Sequence, residues 1–308
     1  MRYGSGMTKA AEHDFSHLPP AAGRLGATFA RPKLVAVACV VVLAALGWLY
    51  LALLVANMGG DLNTLGPGMG ALDLLPRAIA AVCRPTFGLG MAQGAWGASG
   101  FAVVALMWAA MVLAMMLPSA SPMILTYAEI ADTAARKGER IVSPIMIAAG
   151  YAVVWLGFAA VATLAQLAFS RAALLDTGMT SASALFSGTI FIGAGLYQFS
   201  ALKHACLTQC RQPFPFFFAH WETTSRGVFR LGLKQGLYCL GCCWAMMVVM
   251  FAVGVMNVIW MAALAIAMTL EKIGSGNRLT YGLGAVFIAI GVAFVLTAFA
   301  THWPPHAI

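Results

Sequence analysis

Acidic side chains are scarce in this sequence: Asp and Glu together number 10 in 308 residues, and charged residues of both signs make up only 9%. That leaves too little charge to cover the surface of a soluble globular domain. With 61% hydrophobic residues and a mean hydropathy of +0.86, the composition is that of a polytopic membrane protein. A Walker loop, GxSxG, HExxH and the c-type haem CxxCH are also missing, so no motif assigns an enzyme class.

What the chain has in quantity is long apolar runs. Seven of them, at 34–56, 100–117, 144–170, 182–202, 233–254, 256–270 and 280–301, approach the roughly 20 helical residues needed to cross ~30 Å of hydrocarbon, the sixth being the shortest. Continuous rather than alternating apolarity favours helices over a barrel. The expected fold is therefore all-α, a polytopic transmembrane helix bundle of about seven spans. It is one membrane domain over 34–302, preceded by a disordered basic tail, 1–33, and followed by a short external tail, 303–308.

Basic residues are nearly absent from alternate loops. Of 18 Lys and Arg, 15 fall in the N-terminal tail and in the loops after the second, fourth and sixth runs, against Arg77, Arg84 and Arg171 elsewhere. The positive-inside rule then predicts a cytoplasmic N-terminus and an external C-terminus. Orientation accounts for the net charge of +8, so no basic patch is left to argue for a nucleic-acid partner, and the lipid bilayer is the expected one. The first run is longer than a 7 to 15 residue signal core and is read as an uncleaved anchor.

Sulfur is concentrated late in the chain. Cys239, Cys242 and Cys243 are followed by Met246, Met247 and Met250 inside one apolar run. At ~100° per residue Cys239, Cys243, Met246 and Met250 fall within an arc of roughly 60°, with Cys242 about 60° to one side. Met107, Met111 and Met115 form a similar stripe on the second span, which ends at Pro118 and Pro122, where the chain is expected to break or kink.

Cys206 and Cys210, just past the fourth run, lie at the same predicted cytoplasmic end as the Cys239 group. A reducing compartment favours metal binding or transient redox chemistry over structural disulfides. Thiolate and thioether sulfur suits Cu(I) first, with Zn or another soft metal as alternatives. The candidate ligands are thus Cys239, Cys242, Cys243, Cys206 and Cys210, with Met115 and Met246 beside them. His204 either completes a mixed nitrogen and sulfur site or meets the dipole at a helix C-terminus. Glu129 is a ligand, a proton acceptor when a thiol binds metal, or a residue on the wet face of an interfacial helix.

Plain packing is the competing reading of the same residues, because Met fills irregular apolar interiors and buried Cys behaves as a small hydrophobe. Glu271 is expected to pair with Lys272 or another interfacial cation. The stretch 211–218, with Pro213, Pro215 and four Phe, is expected to re-enter or to lie at the interface without forming a regular helix. An amphipathic helix is expected near 71–82, and Gly188, Gly193 and Gly195 are read as close helix contacts.

Two segments carry a family resemblance. Met107 to Pro122, with Met111, Met115, Met116 and Pro118, and the order Lys203, Cys206, Cys210, Pro213, Gly236 to Trp244, Gly254, Met256-Asn257 and Glu271-Lys272 resemble a bacterial family of uncharacterised integral membrane proteins catalogued as predicted metal-binding proteins. The resemblance covers about 100–275. It implies a bacterial integral membrane protein that binds metal, without pointing to an enzyme activity, and its motif positions here include Cys206, Cys210, Cys239, Cys242, Cys243 and Glu271.

Three functions follow as expectations. The first is an inner-membrane soft-metal protein, with copper expected from its sulfur content, that transports or stores the ion or delivers it to a metalloprotein partner. The second is a membrane thiol oxidoreductase. The third is a non-catalytic assembly partner whose cysteines only pack.

Overall fold

The computed structural model describes residues 32–57, 67–68, 98–137, 142–175, 181 and 183–302. Most of the basic tail, the helix expected at 71–82, Cys83 and the tail 303–308 lie outside the described residues. In chain order the helices are α1 (Pro32–Asn57), α2 (Ala98–Arg136), α3 (Pro144–Arg171), α4 (Ala184–Gln198), α5 (Ala201–Arg211), α6 (Pro213–Ala219), α7 (Ser225–Val248), α8 (Met250–Val253), α9 (Val258–Ile273) and α10 (Arg278–His302). Among the described residues the only β pairing is a single bridge between Leu175 and Ser181.

Helix starts follow from local sequence. Pro144 opens α3 behind Ser143, whose hydroxyl accepts from the Ile145 amide at 3.3 Å. Ser200, Thr224 and Asn257 cap α5, α7 and α9 in the same way, accepting from Lys203, Gly227 and Trp260. Gly254, at φ 106°, ends α8 in a conformation that costs other residues strain and lets Asn257 begin α9 three residues on.

Pro118 and Pro122 do not end α2, which runs through both. A proline leaves the carbonyl four residues earlier without a partner, here Ala114 and Pro118. Trp48 on α1 donates its indole N–H to the Ala114 carbonyl at 3.0 Å, and the Ser121 hydroxyl donates to the Pro118 carbonyl at 2.7 Å. Both freed acceptors are therefore satisfied inside the bundle, which is how apolar surroundings accommodate a proline within a helix.

Among the described residues four helices are long and apolar enough to cross a membrane: Gly100–Ala134, Pro144–Arg171, Ser225–Val253 and Arg278–Ala300. α4 and α5 make a fifth if counted as one span bent by 63°. The expected sixth span is α9, whose 16 residues reach about 24 Å at 1.5 Å each and fall short of ~30 Å. The expected first span corresponds to α1, with a shorter apolar stretch at Val37–Leu53. Large apolar side chains such as Leu106, Leu164, Leu296 and Phe299 face outward, a surface that water disfavours.

α1 lies along α2, α3 along α7, and α4 along α10. Gly188 and Gly195 make the last contact close, since an added Cβ would come within 2.8 Å of the Gly291 carbonyl and 2.9 Å of the Gly284 carbonyl. Gly193, expected to pack the same way, has open space. Gly150 and Gly232 set the α3–α7 crossing, where a Cβ on either would collide with the other helix's backbone. This contact brings Tyr151 against Cys239.

The stretch after Arg211 is helical, not irregular. Pro213 and Pro215 occupy the first turn of α6, where amides need no partner. Phe216 and Phe217 point inward, with Phe217 against Tyr127 and Phe216 against Tyr238, while Phe214 and Phe218 are exposed. His204 sits in the first turn of α5, not at a helix C-terminus, because the chain bends and recaps at Ser200.

Candidate metal centre

Spacing on α7 creates the centre. Cys239, Cys242 and Cys243 stand at i, i+3 and i+4, so they share a face, and their sulfurs all lie within 4.8 Å of one another. The Cys242 and Cys243 sulfurs are 3.2 Å apart, and the Cys242 thiol also donates to the Cys239 carbonyl at 3.1 Å. Three sulfurs bound to one ion at ~2.3 Å would sit about 4 Å apart in a trigonal plane, so the cluster needs little adjustment to enclose one.

A fourth thiol comes from α5. Cys210 Sγ lies 3.9 Å from Cys242 Sγ. Its position is fixed from the next residue, since Arg211 donates to the Glu271 carbonyl at 2.7 Å, the Gly276 carbonyl at 2.8 Å and Asn277 Oδ1 at 3.1 Å. All four cysteines are free and at most 9% exposed.

Other expected residues are placed differently. Cys206, one turn before Cys210, packs against the backbone of Gly241, where an added Cβ would come within 2.5 Å of its sulfur. His204 is half-buried and set edge-on to Tyr281, with ring centroids 5.2 Å apart. Glu129 is exposed on the distal part of α2. Met115 and Met246 are fully buried, one turn from Ser119 and Cys242 respectively.

Around Cys239 the structure adds groups that its sulfur pattern alone does not reveal. The Tyr151 hydroxyl lies 3.1 Å from Cys239 Sγ and within 3.3 Å of the Met116 carbonyl. The Lys272 ammonium donates to Cys239 Sγ at 3.0 Å and to the Ser119 hydroxyl at 2.9 Å. Glu271 turns away from its neighbour and pairs with Lys203 at 2.8 Å, both side chains buried to within 1%. Adjacent residues on a helix diverge by ~100°, so Glu271 and Lys272 serve different partners.

α2, α3, α5, α7 and α9 thus converge on one buried thiol cluster bordered by an ammonium and a phenol. The described residues are all helical apart from turns and one bridge, several of the helices are of membrane length, and the buried three-thiol cluster has the donor chemistry that suits a soft metal ion. Residues 105–294 match the family model PpoB2, described as a copper chaperone, and because that is more than half of the chain the protein belongs to this family. No curated protein and no solved structure matches the chain.

Proposed function

We propose that this protein is a membrane copper chaperone that holds Cu(I) at Cys239, Cys242 and Cys243 with Cys210 as a fourth sulfur, and delivers the ion to a metalloprotein partner. The observation that carries this reading is the burial of three thiols within 4.8 Å of one another in a member of a copper chaperone family. An all-sulfur ligand set suits Cu(I) better than harder ions. Met246, one turn beyond Cys242 on α7, and Met115, one turn before Ser119 on α2, are buried thioethers through which an ion can be relayed. Cys206, packed on Gly241, His204, set against Tyr281, and Glu129, exposed on the distal part of α2, are given no ligand role in this reading.

The location proposed is the bacterial inner membrane, with seven passes and a cytoplasmic N-terminus. Fifteen of 18 basic residues on alternate loops support the orientation, and the outward apolar faces support the lipid setting. On this topology the cluster opens toward the cytoplasmic side. Thiol exchange is the weaker reading, because attack on a disulfide needs an accessible thiolate and these sulfurs are enclosed.

Copper content measured on protein purified in detergent under anaerobic reducing conditions tests the proposal. About one copper per chain is expected for the wild type after Cu(I) loading, and almost none for a folded variant with Cys239, Cys242 and Cys243 all changed to Ser. Equal loading of the two would remove the cluster from the binding site.

A further inference from the structure

Among the described residues two lysines are buried, Lys203 on α5 and Lys272 on α9, and they are not equivalent. Lys203, fully buried, is neutralised by Glu271 at 2.8 Å. Lys272, 7% exposed, has as partners a hydroxyl, Ser119 Oγ at 2.9 Å, and a thiol sulfur, Cys239 Sγ at 3.0 Å. Neither is a carboxylate, and the carboxylate next to it in sequence is committed to Lys203. A buried ammonium needs compensating negative charge, so the sulfur cluster is the natural place for it.

We propose that Lys272 is a specificity-determining residue that makes the thiol cluster prefer a singly charged soft ion over a doubly charged one. This rests on the copper-binding reading above. A fixed positive charge one sulfur away from the bound ion lies on the order of 5 Å from it, and at equal distance it repels a divalent ion twice as strongly as a monovalent one. The same ammonium also stabilises whatever negative charge the sulfurs carry, but that benefit is common to both ions and leaves their ratio unchanged. Ser119 holds the ammonium in place through its hydroxyl, which in turn donates to the Met116 carbonyl at 3.0 Å.

No metal ligand is added by this assignment. Lys272 acts through position and charge, and the charge is retained by Arg and lost in Met or Gln. The consequence is a ratio, which a merely structural lysine would not control in this way.

The test is the ratio of Cu(I) to Zn(II) affinity, each measured by competition with a chromogenic chelator on the full-length protein in detergent without oxygen. Lys272→Met is expected to shift the ratio toward zinc by about tenfold or more, the order of one extra unit of charge repulsion in protein surroundings. Lys272→Arg is expected to stay near the wild-type ratio. Lys272→Gln, which keeps a hydrogen bond available to Ser119, replaces the Met variant if that one does not fold, with the same shift expected. A wild-type ratio in the neutral variants, or an equal shift in the Arg variant, would overturn the assignment while leaving copper binding intact. A wild type that binds no Cu(I) would instead remove the copper reading, and this assignment with it.

Discussion

Cys239 is the residue on which the site turns, because its sulfur faces its two neighbours on α7, the Tyr151 hydroxyl and the Lys272 ammonium at once. Groups just outside a ligand set orient it, and removing one typically costs 10- to 100-fold in metal affinity. Tyr151→Phe is accordingly expected to weaken Cu(I) binding by about tenfold without unfolding the protein, as read by chelator competition; an unchanged affinity would mean the phenol only packs. The cysteines were legible in the sequence because the i, i+3, i+4 spacing is a helical face. Tyr151 and Ser119 were not, since each sits on another helix and its neighbours in sequence say nothing of Cys239. Lys272 was visible as a basic residue at a span end, as an expected partner of Glu271 and as a position of the family motif, but nothing in the sequence set it against Cys239.

Among the elements, α2 shows where local rules and tertiary context part. Two prolines predict a break, yet Trp48 and Ser121 satisfy the carbonyls they release and the helix continues. A partner from another helix 66 residues away is invisible to local pattern. The reverse holds for α6, where two prolines in the first turn permit the helix they were expected to forbid. The α3–α7 crossing depends on Gly150 and Gly232 at backbone contact. Gly232→Ala is expected to lower stability by about 1–3 kcal/mol through overpacking, and to weaken copper binding by moving Tyr151 from Cys239. Thermal unfolding in detergent and Cu(I) titration check the two effects together; a variant with wild-type stability would show that the crossing can give.

On the scale of the whole molecule, apolar composition made the all-helical bundle legible, whereas the number of passes depends on how helices bend and end. The fourth run divides at Ser200 into α4 and α5, and α9 closes after 16 residues. That bend and that short helix place Lys203 and Arg211 against Glu271 and the loop after it, tying α5 to α9 and so holding Cys210 at the cluster. Breaking a buried ion pair leaves an uncompensated charge, at a cost of about 3–5 kcal/mol. Lys203→Met should therefore lower the unfolding temperature sharply, and adding Glu271→Gln should restore most of the loss; a double variant as unstable as the single would show that the pair's charges are not what matters.

The most direct test of the account is X-ray absorption at the copper K-edge on Cu(I)-loaded protein, which reads the metal's neighbours without assuming them. The expected result is a Cu(I) edge with sulfur alone in the first shell, about three to four scatterers near the ~2.3 Å of a metal–thiolate bond. A first shell of nitrogen or oxygen, or a sulfur shell that persists when Cys239, Cys242 and Cys243 are all Ser, would contradict it.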